Sequence, residues 1–341
     1  MGSCCTNTAR EDEEKGNVVE NIGPSTIDNE TNKIERAGKT REEDPVVSPE
    51  DEKTFKDTAA TLKSENEKTN QTYKARGPYT YEPHPNDNTK RELRQKTEVE
   101  DGSLYYGFWN KDTNKRDGNG VLFFKEGARY DGFWKEGKAN GIGRIIHRNG
   151  EIYEGEWKDD QAHGKGSFTH SDGSIYVGDW KDDKPSGNGI ETWLEGTKYE
   201  GEYANGNKHG KGAFIWANGS SYEGEFADNN IQGHGVYKWT DGRVYDGDWK
   251  INKMHGKGTF TWPDGKVYKG QYAEDKKEGT GVMEWPDGSK YDGQWVDGKQ
   301  QGIGLYSEKR GVTPKKALWE NGTRIRWIAK GELEDEPVTN G

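Results

Sequence analysis

Two sets of residues in this 341-residue chain have the types and spacing for chemistry. The first is Met1-Gly2-Ser3-Cys4-Cys5-Thr6, which fits the N-myristoylation pattern Met-Gly-x-x-x-Ser/Thr, with Gly2 the acceptor once Met1 is removed. Cys4 and Cys5 are the two cysteines of the chain and stand where palmitate is commonly added to a myristoylated protein. Adjacent cysteines close no loop that a disulfide would stabilise. One myristoyl chain binds a membrane only marginally, and Glu11, Asp12, Glu13 and Glu14 follow where a basic patch would otherwise help. The expected lipidation sites are therefore Gly2, Cys4 and Cys5, and the expected location is the cytoplasmic face of a membrane.

The second set is His163, His209 and His255, which recur at one fixed spacing. If each interval spans four strands, neighbours lie about 19 Å apart, whereas metal ligands meet within roughly 2 Å of one ion. They are expected to pack rather than to bind metal. His163-Gly164-Lys165-Gly166 and the other Gly-x-Gly pairs lack the strand, loop and helix that a phosphate loop requires. No catalytic residue, metal, cofactor or small-molecule substrate is expected.

The elements that carry these residues form a repeat. Tyr130, Tyr153, Tyr176, Tyr199, Tyr222, Tyr245, Tyr268 and Tyr291 each open a unit of 23 residues, and Tyr105 opens an earlier unit with two extra residues. Such a period implies stacked supersecondary units. Tyr153, Gly155 and Trp157 alternate with Glu154 and Glu156, as on a strand with one aromatic face. Asn149-Gly150, Asp172-Gly173, Asn218-Gly219 and their counterparts lie between units and read as type I′ hairpin turns. The strand glycines beside Tyr and Trp read as room for a neighbouring ring.

Tyr291-Asp292-Gly293-Gln294-Trp295 with Gly298, Gly302 and Gly304 shows the unit in full, and Tyr130-Asp131-Gly132-Phe133-Trp134 with Gly137, Gly141 and Gly143 repeats it. The array resembles the MORN (membrane occupation and recognition nexus) repeat, whose pattern is close to Tyr-x-Gly-x-Trp-x-x-Gly-x-x-x-Gly-x-Gly. Tyr203, Phe226 and Tyr272 replace its Trp, and Asp160, Asp183, Asn229, Asn252 and Asp275 replace its mid-unit Gly, each swap keeping an aromatic or a turn former. Ala317 to Trp327 reads as a partial last unit. The fold expected is all-β: an elongated, single-layer antiparallel array of β-hairpins over 105–327, about nine units plus a partial terminal one.

Residues 1–6 are the acylation motif, 7–104 an acidic and mostly disordered tether, and 328–341 an acidic tail. Residues 1–104 hold 16 basic against 23 acidic side chains, and 105–327 hold 33 against 34. The near-neutral array lacks the footprint of a nucleic-acid binder. Within the tether, Ser48-Pro49-Glu50-Asp51 is a helix start, and Phe55, Ala59 and Leu62 share a face, so a short helix near 49–66 is expected to firm up on a partner. No run of 18 or more apolar residues occurs.

Some proteins with this repeat carry a lipid kinase or methyltransferase domain beyond the array; here 14 residues follow Trp327, so no enzymatic activity is expected. The first reading is a membrane-anchored scaffold that presents a rigid β-repeat ribbon to a protein partner or to its own copy, at a plasma or ciliary membrane or the cell cortex. Tyr130, Trp134, Tyr153, Trp157, Tyr176, Trp180, Tyr245, Trp249, Tyr291 and Trp295 would serve as core or as partner-binding aromatics. The resemblance also admits an axonemal, radial-spoke-type structural component or a phospholipid-binding sensor, although near-zero charge argues against strong attraction to anionic lipid.

Overall fold

The computed structural model describes residues 47–99 and 101–329, so Gly2, Cys4, Cys5, most of the tether and the tail fall outside the described residues. The described residues lie within one compact unit, 46–341, and form two helices and twenty-one strands. The strands, β1 (Arg91–Glu98) to β21 (Thr323–Trp327), pair in chain order, each antiparallel to the next, as one open sheet. Among the described residues no pairing of β21 back to β1 closes the sheet. Each unit is a hairpin such as β6 (Ile152–Lys158) with β7 (Gln161–Thr169), and the next unit adds β8 (Ile175–Lys181) to its edge.

The three signature glycines have separate reasons. Gly155 pairs with Gly166 across the hairpin, and the Tyr153 ring lies over both. A Cβ on Gly166 would fall 2.5 Å from the Tyr153 hydroxyl oxygen. Gly164 is required by the backbone instead. Residues 163–165 bulge out of register, and its φ of +62° is the left-handed conformation that glycine adopts without steric cost.

The turns differ from expectation. Between units only the glycine has positive φ, as at Gly150 (+89°), whose N–H donates to the His147 carbonyl at 2.9 Å. The paired positive-φ residues that define a type I′ turn sit inside the units instead, at Asp159-Asp160, Asp182-Asp183, Asp228-Asn229 and Ile251-Asn252. Two-residue loops require that twist, whereas the longer loops between units close on one left-handed glycine.

Those mid-unit Asp and Asn residues also tie units together. The Ala162 N–H donates to Asp183 Oδ1 at 2.7 Å, while the Asp183 N–H donates back to the Ala162 carbonyl at 3.1 Å. Asp160, Asn229, Asn252 and Asp275 repeat this exchange with Ala139, Lys208, Ile231 and Met254. Pro185 has no N–H to give, and the residue opposite it is Gly206.

Over residues 47–99 the expectation of a mostly disordered tether is corrected. Ser48 caps α1 (Pro49–Ala59) by accepting the Asp51 N–H at 3.0 Å, and Asn66 caps α2 (Glu67–Arg76) by accepting the Thr69 N–H at 2.9 Å. β1 then pairs with β2 (Leu104–Asn110), adding a strand ahead of the first unit. The partner on which the helix firms up is the array itself. Phe55, Ala59 and Tyr81 bury against Tyr106, Phe108, Val121 and Phe123 on the face opposite the Tyr and Trp stack. Glu154 and Glu156 hold the repeat positions of Tyr106 and Phe108 two units on, so the aromatic surface that the first unit offers on this face is not repeated there.

A candidate protein-interaction groove

Each Tyr of the repeat stands between two rings, edge to face. Tyr153 meets Trp157 at 5.1 Å and Trp180 at 4.9 Å, and Tyr245 meets Trp249 at 5.1 Å and Tyr272 at 5.2 Å between ring centroids. The zigzag runs from Tyr105 to Trp319. Each Tyr hydroxyl donates to the carbonyl three residues on, at 2.7 Å for Tyr153 to Glu156 and 2.9 Å for Tyr245 to Asp248. Trp157, Trp180, Trp249 and Trp295 donate their indole N–H to a glycine carbonyl of the preceding unit. Burial pushes the hydroxyls of Tyr153, Tyr176, Tyr199 and Tyr245 well above their ordinary value.

These rings are the core. Tyr130, Tyr153, Tyr176, Tyr245 and Tyr291 are at most 2% exposed, and Trp134, Trp180, Trp249 and Trp295 at most 8%. Trp157 is half-buried. His163, His209 and His255 stay spread along the sheet, and among the described residues no cluster of three His, Cys, Asp or Glu is placed to hold a metal.

A second row of rings runs beside the first and is only half-buried. It comes from the second strand of each hairpin and the turn that follows. Trp193, Phe214, Trp216, Tyr237, Trp239, Phe260 and Trp262 succeed one another at centroid distances of 5.9, 4.6, 5.0, 4.4, 5.2 and 4.4 Å. Only Phe260 of these falls among the buried residues. The row spans six strand spacings, on the order of 29 Å. Sequence reasoning passed over it because the eye follows Tyr-x-Gly-x-Trp, yet the signal was present: Trp193, Trp216, Trp239, Trp262 and Trp285 recur one period apart, just before the inter-unit turn.

A lysine sits at each end of this row. Lys208 places its ammonium 5.0 Å from the Trp193 ring centre and 5.2 Å from that of Tyr199, and its Nζ meets Glu191 Oε2 at 2.7 Å. Lys277 lies 5.3 Å from Trp262, 5.4 Å from Tyr268 and 5.1 Å from Trp295. Burial, and then the like charge of Lys266, hold the Lys277 ammonium below its ordinary pKa. The other face of the sheet carries an open trough of about 650 Å³, lined by Glu154, Lys165, Val177, Ile190 and Glu200 with strand glycines between them.

The fold and the half-buried row define a class: an open, single-sheet β-repeat scaffold with a row of part-exposed rings along one face. A family model described as the MORN repeat matches residues 130–152, 153–175, 176–198, 199–221, 222–242, 245–267, 268–290 and 291–307, more than half of the chain. The chain belongs to the MORN-repeat family. Among curated proteins none matches it. Similar solved structures include the SAS-4 (dCPAP) TCP domain of Drosophila melanogaster in complex with a proline-rich motif of Ana2 (dSTIL), at 13% identity over 57% of this chain and 98% of that one, with a TM-score of 0.30. The G-box domain of the microcephaly protein CPAP shares 13% identity over 62% of this chain and 99% of its own, at a TM-score of 0.21. Virginiamycin B lyase from Staphylococcus aureus shares 10% over 65% and 93%, at 0.16. At such TM-scores the likenesses carry no argument about this chain.

Proposed function

We propose that this MORN-repeat protein is a non-enzymatic scaffold whose aromatic row from Trp193 to Trp262 holds an extended segment of a protein partner. The observation that supports this is the continuity of half-buried rings across six strand spacings, beside a row that is already buried as core. Extended peptide rises about 3.3 Å per residue, so the row matches on the order of nine residues. Rings offer such a segment large contact area at low entropic cost.

The Met1-to-Thr6 motif supports acyl anchoring through Gly2, Cys4 and Cys5, which would bring the scaffold to the cytoplasmic face of a plasma or ciliary membrane or of the cell cortex. The second reading, in which the repeats bind phospholipid directly, has no net positive charge behind it, since the array's 33 basic side chains meet 34 acidic ones.

Capture of partners by the full chain, compared with a Trp216→Ser/Trp239→Ser variant of unchanged melting behaviour, tests the reading. Anchoring aromatics at interfaces contribute about 2 kcal/mol or more each, so removing both should weaken binding by on the order of a thousandfold. Equal capture by the two proteins overturns it, and pelleting of the full chain with anionic vesicles, unaffected by the variant, would favour the lipid reading.

A further inference from the structure

Lys208 and Lys277 occupy the same repeat position, three periods apart, and each pairs across its hairpin with a tyrosine, Tyr203 and Tyr272 respectively. Ala139, Ala162, Pro185, Ile231, Met254 and Gln300 stand there in six other units, and the two ends of the array place arginines, Arg116 opposite Trp109 and Arg324 opposite Trp319. Lys208 lies among Trp193, Tyr199 and Tyr203, and Lys277 among Trp262, Tyr268 and Trp295 of the next unit; the difference that bears on their charge is the acid beside them. At Lys208 the strand ahead supplies Glu191, opposite Tyr199, and its carboxylate closes the cage at 2.7 Å while also accepting the Tyr203 hydroxyl at 3.1 Å. At Lys277 the equivalent residue, opposite Tyr268, is Phe260. Among the described residues no carboxylate comes within 4.0 Å of the Lys277 ammonium. Lys266, the neighbouring cation, is paired with Asp264 at 3.2 Å.

A half-buried cation loses hydration and recovers it only in part from ring faces, so it attracts an anion from outside. We propose that Lys277, with Trp262, Tyr268 and Trp295, is a binding subsite at the end of the aromatic row that takes a side-chain carboxylate, Asp or Glu, of the extended partner segment. The Lys208–Glu191 pair is the internal template for the completed site. Lys277 thereby sets the register of the bound segment, with an acidic residue at one end of an otherwise apolar stretch. This inference rests on the groove reading above and adds the chemistry of its ligand.

The test uses the full chain labelled with carbon-13 at the lysine ε positions, where the three rings give Lys277 a displaced signal. The probe is acetylated, amidated hexaglutamate, with hexaglutamine and phosphatidylserine-containing vesicles as comparison arms. Hexaglutamate should move the Lys277 signal saturably and leave Lys208 still, and hexaglutamine should move neither. Lys277→Met, which installs the residue that Met254 already holds in the preceding unit, should weaken hexaglutamate binding by about tenfold or more, the size expected for a charge-assisted hydrogen bond. Glu191→Gln should make Lys208 respond as well. No response at millimolar hexaglutamate, equal binding by Lys277→Met, or a response to vesicles alone would each overturn the proposal. Partner capture that survives Lys277→Met but is lost in the Trp216→Ser/Trp239→Ser variant would remove this subsite and leave the groove reading standing.

Discussion

Arg129 and Asp131 form an ion pair at 2.7 Å with both side chains almost wholly out of water, and each also holds the segment ahead of the array. Arg129 donates to the Leu62 and Ala59 carbonyls at 2.7 and 2.9 Å and lies 3.6 Å from the centre of the Tyr73 ring. Asp131 accepts the Tyr81 hydroxyl at 2.7 Å. The pair is thus the joint between the repeats and residues 47–99. Removing one partner strands a buried charge.

Asp131→Ala should therefore destabilise the protein by about 3–5 kcal/mol. Amide exchange should rise first over residues 49–98 and around Arg129, while the hairpins beyond Tyr199 keep their protection. Loss of protection spread evenly over all units would show that the joint is not local. Tyr81→Phe removes one hydrogen bond and should cost about 1 kcal/mol.

The same joint should respond to acid. His84 Nε2 accepts the Asn119 N–H at 3.0 Å, and its Nδ1 stands 3.1 Å from Glu52, so the ring must be neutral with the proton on Nδ1. Burial lowers the His84 pKa against the pull of the Glu52 carboxylate, and Arg91 and Lys56 lower it further. A folded-state pKa below the unfolded one means that the unfolded chain takes the proton first. Stability from His84 is then complete above about pH 6.5 and is lost as pH falls from there through the lowered folded value. Melting curves between pH 7.5 and 5 should show this decline, and His84→Gln should flatten it. A variant as acid-sensitive as the wild type would assign the loss to other groups, His147 among them, whose pKa burial also lowers.

The packing of Tyr245 on Gly258 gives a third prediction. A Cβ on Gly258 would stand 2.5 Å from both the hydroxyl oxygen and a ring carbon of Tyr245. Gly258→Ala should cost about 1–3 kcal/mol through overpacking. Adding Tyr245→Leu should cost less than the two single changes summed, because the contact being strained is then gone. Strict additivity in denaturant unfolding would mean that the glycine serves the backbone alone. Gly256, with φ +62°, provides that contrast, since its replacement is strained whatever Tyr245 is.

The array was legible from the amino acids because its logic is local and periodic. The Tyr that opens each unit buries itself between the ring four residues on and that ring's counterpart in the next unit, and the 23-residue spacing states which residues those are. What repetition conceals is any residue that departs from it. Residues 47–99 look unable to fold because their partner, the apolar outer face made by Tyr106, Phe108, Val121 and Phe123, lies further along the chain and is recognisable only by a break in alternation. Glu191 and Lys208 meet across two neighbouring hairpins, and the replacement of that acid by Phe260 beside Lys277 has meaning only once register has set the strands side by side. Local spacing determined the units, whereas contacts across successive strands, and between residues 47–99 and the first units, decided which side chains were core, which stayed open, and where a charge was left to be matched.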